Sequence, residues 1–197
     1  MNTSVKAYLS AYNAIAFVAW GVFFAYSVYN KFNLNSTGVL LLNIAQGLAV
    51  LEIIHALLKW VKSPIGSTSA QVASRIFVVV ILNFIYDQLP LHTITIVGIA
   101  IVSIAWSTTE LIRYSYYFLL LQKREPATLQ WMRYSFFILL YPLGVTGEWF
   151  IFVTPILKSG VTFDVYTVII LFTLIAYLYY FPVLYGYMWK QRRKKLL

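Results

Sequence analysis

Residues 91–121 read LHTITIVGIAIVSIAWSTTELIRYSYYFLLL, a run of 31 residues whose only charges are Glu110 and Arg113. Roughly 20 mainly apolar residues cross the hydrocarbon core of a bilayer, so this stretch predicts a membrane-spanning helix. As a straight helix it extends roughly 46 Å, more than the core needs, which predicts a tilted span or one that projects beyond the lipid. Working outward, comparable apolar runs occupy about 11–29, 38–60, 72–89, 131–157 and 165–189. The sequence therefore predicts an all-α polytopic membrane protein, a six-transmembrane-helix bundle forming a single domain over residues 1–197. Composition agrees: the chain is 61% hydrophobic and 11% charged, outside the range of soluble globular domains. The stretch from Met1 to Lys6 lacks a charged n-region and a small-residue cleavage site, so the first run is expected to be retained.

Charge placement orients the bundle. With six spans both termini share a side, and of the 15 Lys and Arg residues all but Lys31 and Lys158 fall on it. The positive-inside rule then puts both termini in the cytosol and explains the net charge of +9 as membrane orientation, with no nucleic-acid partner implied. The opposite face is expected to carry a short turn at 88–90 and a loop at 158–164. The chain ends Lys194-Lys195-Leu196-Leu197, and lysines at these positions of a cytosolic tail look like a dilysine retrieval signal of the endoplasmic reticulum membrane. The plainer reading is a basic cluster anchoring the last helix to anionic lipid.

There are no cysteines, which excludes thiol catalysis, disulfides and cysteine-ligated metal sites. In the second span Glu52 and His55 have the Glu-x-x-His spacing of half a di-iron site, but two histidines in the whole chain are too few for such a site, so no metal is expected. Asn43 and Gln46 lie on roughly the opposite face of that span. All four are expected to make structural hydrogen bonds to neighbouring helices.

Ionisable groups inside spans point by default to function. In the fourth span Trp106, Glu110, Arg113 and Tyr117 share a helical face, and Glu110 can pair with Arg113. In the fifth, Tyr134, Tyr141 and Glu148 recur every seven residues and form a stripe, with Tyr141 about 15 Å deep if the helix enters at Trp131. Pro142, Gly144 and Gly147 lie between Tyr141 and Glu148, and predict a kink. A carboxyl at such depth is suited to proton transfer, or else is a buried Glu bonded to a neighbouring span.

Taken together, Gln71-Val-Ala-Ser74-Arg75, Ala105-Trp106-Ser107-Thr-Thr-Glu110-Leu-Ile-Arg113-Tyr114, Arg133-Tyr134 and Tyr141-Pro142-x-Gly144-x-x-x-Glu148 resemble the very-long-chain (3R)-3-hydroxyacyl-CoA dehydratases, once called protein tyrosine phosphatase-like. The resemblance covers the second to fifth spans in order; the first and sixth match only in hydropathy. The phosphatase label cannot hold for a chain without a cysteine nucleophile. The resemblance implies a hydro-lyase of the endoplasmic reticulum, without cofactor, that performs the third step of fatty acid elongation. It removes water from a 3-hydroxyacyl-CoA to give the trans-2-enoyl-CoA. It implies Tyr141 and Glu148 as catalytic residues, with Glu110, Tyr134 and Gly144 in supporting places. Glu148 is expected to handle the proton at the reacting carbons while the Tyr141 hydroxyl hydrogen-bonds the thioester oxygen or leaving hydroxyl, and the two roles could be exchanged. Arg75, Arg113, Lys123, Arg124 and Arg133 lie on the expected cytosolic side, where they could hold the phosphates of CoA. The expected partners are the acyl-CoA substrate, the bilayer, and the elongase, ketoacyl-CoA reductase and enoyl-CoA reductase of the same cycle. The competing class is a non-catalytic membrane scaffold of that complex. A transporter ranks below both, because only one span is interrupted by Pro and Gly and no second half mirrors it.

Overall fold

A computed structural model describes residues 2–86, 93–124, 126–159 and 165–196. The expected turn at 88–90 and most of the loop at 158–164 lie outside the described residues. The described chain is helical throughout, with no strand: α1 Thr3–Tyr29, α2 Ser36–Gly47, α3 Val50–Leu57, α4 Ile65–Tyr86, α5 Thr93–Leu121, α6 Ala127–Ser135, α7 Phe137–Ser159 and α8 Val165–Leu196. Among the described residues six helical stretches are long and apolar enough to cross a membrane, α2 and α3 counting together as Ser36–Leu57. The protein is thus a multi-pass membrane protein. Two expected spans are each broken once, at Leu48–Ala49 between α2 and α3 and at Phe136 between α6 and α7.

The long run that opened the sequence forms the centre. Half of the apolar stretch of α5 is buried within the protein, against 11% for α8, which lies at the periphery. α5 packs along α1 on one side and α7 on the other. Between α5 and α7 the two backbones nearly touch: a methyl group on Gly98 would lie 2.8 Å from the Gly147 carbonyl oxygen, and one on Gly147 would lie 2.9 Å from that of Gly98. Small residues at such a crossing let helices approach in lipid, where no hydrophobic force draws them together.

Helix ends are managed locally. Asn2 and Asn35 cap α1 and α2 by accepting from the backbone N–H groups of Ser4 and Gly38. α1, α3 and α5 each end with a left-handed residue, Lys31, Lys59 and Lys123 respectively. In each case the following N–H returns to the carbonyl five residues back: Phe32 to Ser27, Trp60 to His55 and Arg124 to Leu119. Gln122, just past α5, donates to Ser10 of α1, and Gln130 of α6 donates to the Lys195 carbonyl of α8. Both terminal helices and the segment between α5 and α6 therefore meet at one end of the bundle.

The polar residues of the second span divide as their faces suggested. Asn43 and Asn83 of α4 exchange hydrogen bonds at 3.0 and 2.9 Å. Glu52 and His55 face α1, where Tyr12 donates to Glu52 and Tyr8 bonds His55 Nε2 at 3.1 Å. Gln46 departs from the expectation, since its buried amide finds no hydrogen-bond partner among the described residues.

Candidate active site

Glu148 sits on α7 one residue past the contact between Gly98 and Gly147 and is 9% exposed. The close approach of α5 brings Trp106 alongside, and its indole Nε1 donates to Glu148 Oε1 at 3.1 Å. The other oxygen is met from α8, where the Tyr177 hydroxyl donates to Oε2 at 2.5 Å. Each carboxylate oxygen thus has one donor, on a different helix, and each keeps a lone pair.

Tyr141 lies two turns earlier on α7. Its ring lies parallel to Phe181 with centroids 5.1 Å apart and planes 5° from parallel, and beside Tyr185 at 6.2 Å. Its hydroxyl has no hydrogen bond among the described residues. Tyr177, Phe181 and Tyr185 recur every four residues, so α8 presents an aromatic stripe along the α7 stripe, antiparallel to it: Tyr177 at Glu148, Phe181 and Tyr185 at Tyr141. Sequence reasoning assigned no function to the last span and missed Tyr177. Its signal, an aromatic at every fourth position, is masked by the density of aromatics from Tyr177 to Trp189.

α7 continues as helix through Pro142, where a kink is expected, and the expected span is interrupted at Phe136. Pro142 has no N–H for the Ile138 carbonyl four residues before it. That carbonyl is taken instead by the Tyr185 hydroxyl at 3.2 Å, which lets the helix run on. The break at Phe136 separates Tyr134 from the stripe. Tyr134 lies with the Arg133 guanidinium 5.4 Å from its ring.

On the α5 face, Glu110 is 1% exposed and pairs with Arg113 as expected, but both belong to a larger network. Arg75 of α4 pairs with Glu110. Arg113 reaches Glu52 of α3 with two nitrogens, at 2.7 and 2.6 Å, and Tyr114 donates to the same carboxylate at 2.6 Å. Two arginines and two carboxylates from three helices neutralise one another. The Arg75 guanidinium also lies over the Trp106 ring, 5.1 Å from its centroid, so the network abuts the donor that holds Glu148.

The five basic residues considered for CoA therefore have different surroundings. Arg75 and Arg113 are engaged with carboxylates. Arg133 donates to Tyr117 at 2.6 Å and lies over the Tyr116 and Tyr117 rings. Lys123 and Arg124 are exposed beyond the end of α5, at the end of the bundle shared by the terminal helices. Gly144 faces α5 with room to spare, a methyl there meeting Ala105 and Trp106 at 3.8 Å.

Glu148, buried with a donor on each oxygen, and Tyr141, whose hydroxyl is left unbonded by the described residues, thus share one face of α7. Residues 46–197 match the family model described as protein tyrosine phosphatase-like protein, PTPLA. The chain belongs to this PTPLA family. Among curated relatives, the very-long-chain (3R)-3-hydroxyacyl-CoA dehydratase hpo-8 of Caenorhabditis elegans is 33% identical, over 98% of this chain and 96% of its own. The human very-long-chain (3R)-3-hydroxyacyl-CoA dehydratase 2 is 32% identical, over 96% of this chain and 81% of its own. The Arabidopsis thaliana dehydratase PASTICCINO 2 is 34% identical, over 73% of this chain and 66% of its own. No solved structure matches. The PTPLA match includes α8, so it extends beyond the spans in which the sequence motifs lie.

Proposed function

We propose that this protein is a very-long-chain (3R)-3-hydroxyacyl-CoA dehydratase, a hydro-lyase, with Glu148 and Tyr141 as its catalytic pair. The observation that carries the reading is the environment of Glu148: a carboxylate accepting from Trp106 and Tyr177 on two other helices, on the face that also bears Tyr141. The relatives named as dehydratases supply the reaction class.

In this reading the thioester acidifies the C2 proton, which Glu148 removes through a lone pair that neither Trp106 nor Tyr177 uses. The C2–H electrons form the C2–C3 double bond and the C3–O bond breaks. The proton taken from C2 and the departing hydroxide leave together as water. Tyr141 keeps its proton and hydrogen-bonds the thioester oxygen or the leaving hydroxyl, where negative charge develops, while the proton on Glu148 passes to the hydroxide. Its stacking on Phe181 holds the ring without using the hydroxyl. Seven helical residues set the two groups about 10.5 Å apart along the axis, so the substrate lies between them.

The six helices act as one membrane domain with both termini in the cytosol, where the basic residues concentrate. The CoA phosphates meet Lys123 and Arg124 there, with Arg133 nearby, whereas Arg75 and Arg113 act by holding the interior network. The protein works in the endoplasmic reticulum, with Lys194 and Lys195 as its retrieval signal, in the third step of fatty acid elongation. It there receives substrate from a ketoacyl-CoA reductase and passes product to an enoyl-CoA reductase beside the elongase. The test is conversion of a defined 3-hydroxyacyl-CoA to its trans-2-enoyl-CoA by the purified full-length protein. No turnover by the wild-type protein would favour a scaffold, and wild-type rates for Glu148→Gln or Tyr141→Phe would overturn the site.

A further inference from the structure

The last span meets the Glu148 carboxylate through one hydroxyl. Tyr177 reaches Glu148 Oε2 at 2.5 Å, while Trp106 reaches Oε1 at 3.1 Å. The terminal torsion of a glutamate is broad, so a carboxylate with no donors, or with one, samples many orientations. A donor on each oxygen, from opposite neighbours, fixes its plane. Both donors are themselves held. Trp106 is 3% exposed and carries the Arg75 guanidinium over its ring. Tyr177 meets the fully buried Phe152 edge to face, with centroids 5.9 Å apart and planes at 83°. The Tyr177 ring also borders a cleft of about 250 Å³ between α7 and α8, walled by Pro142, Val145, Trp149 and Phe181. The ring is therefore a wall of that cleft and the hydroxyl a tether for Glu148, two roles that one substitution separates.

We propose that Tyr177 is a positioning residue for Glu148, its hydroxyl holding Oε2 so that the carboxylate faces the C2 proton in one orientation. The proposal rests on the reading of Glu148 as the base. Tyr177 keeps its own proton throughout and acts only through Glu148; the proton from C2 and the hydroxide from C3 still leave as water.

The test uses purified full-length protein in lipid nanodiscs. Tyr177→Phe keeps the ring and removes the tether, so kcat should fall about 10- to 100-fold, the worth of a hydrogen bond to a charged group. KM for the acyl-CoA should stay within about twofold, because the wall remains, and the thermal midpoint should fall by no more than the loss of one buried hydrogen bond. In a Glu148→Asp background, where the shortened carboxylate has already left the tether, Tyr177→Phe should cost no further activity. Tyr177→His, which retains a donor, should recover part of the rate. The proposal is overturned if Tyr177→Phe leaves kcat within about twofold of wild type, if its loss appears in KM or in the thermal midpoint alone, or if the same loss persists in the Glu148→Asp background. If Glu148→Gln turns over at the wild-type rate, the base assignment itself fails and this proposal falls with it, an outcome distinct from an inert Glu148→Gln beside a fully active Tyr177→Phe.

Discussion

The Tyr185 hydroxyl donates to the Ile138 carbonyl, the acceptor that Pro142 leaves without its helical N–H. One side chain on α8 thus completes the backbone of α7 within the lipid-spanning region. Tyr185→Phe keeps the stack on Phe181 and leaves the carbonyl unpaired, so it should cost about 1–3 kcal/mol, read as a lower thermal midpoint in detergent. Pro142→Ala restores an N–H to the same carbonyl. In that background Tyr185→Phe should cost almost nothing, and an undiminished penalty would show that the bond is not what Pro142 requires.

Tyr141 is held by ring stacking, and its hydroxyl has no hydrogen bond among the described residues. Tyr141→Phe should therefore fold with an unchanged thermal midpoint yet lose about 10²- to 10³-fold in kcat, the usual worth of a donor to developing negative charge. A proportional fall in stability would mean that the hydroxyl serves packing instead.

Glycines along α5 and α7 should differ sharply in tolerance. Gly98→Ala and Gly147→Ala each drive a methyl group to within 3 Å of the opposing backbone, which can yield only by parting the helices. Both should reduce folded yield and separate Trp106 from Glu148, lowering kcat in whatever protein survives. Gly144→Ala adds a methyl at ordinary contact distance and should leave stability within about 0.5 kcal/mol of wild type. Equal losses at all three positions, measured by fluorescence-detected size exclusion, would contradict this.

Arg113 holds Glu52 and Glu110 from two sides. Arg113→Met removes both pairings while two carboxylates remain in the interior, and should destabilise the protein by about 3–5 kcal/mol. Arg75 still pairs with Glu110, so Glu52→Gln added to Arg113→Met removes the charge left without a cation and should recover part of that loss. The comparison needs thermal midpoints of the two variants in the same detergent; a double variant no more stable than the single would refute the charge argument.

If Lys194 and Lys195 act in retrieval, replacing both by serine should move a fluorescently tagged protein, tagged away from that tail, out of the endoplasmic reticulum while activity in isolated membranes is kept. Unchanged distribution would leave the pair as a lipid anchor only.

How far the sequence could be read follows from what each signal depends on. Six apolar runs appear because lipid requires long uncharged stretches, a demand local to each helix. The stripe from Tyr141 to Glu148 and the pairing of Glu110 with Arg113 were legible for the same reason, since helical periodicity places them without reference to any other element. Tyr177, the engagement of Arg75 with Glu110 and the bond from Tyr185 to Ile138 were not, because each joins residues on separate helices whose rotation about their axes hydropathy does not specify. The break at Phe136 was hidden by a similar dependence. Pro142 alone predicts a kink, and the hydroxyl that meets the carbonyl it leaves open comes from α8, which the sequence of α7 does not show.

Where Gly98 meets Gly147 the spacer between two helices is main chain itself. The distance from α5 to α7 at that level is set by peptide groups that every sequence shares, not by the bulk of any chosen side chain. The level of the carboxylate is thereby decoupled from the oily exterior. The outer faces of the bundle can be re-clad for thicker or thinner bilayers while Glu148 and its two donors stay at one fixed address.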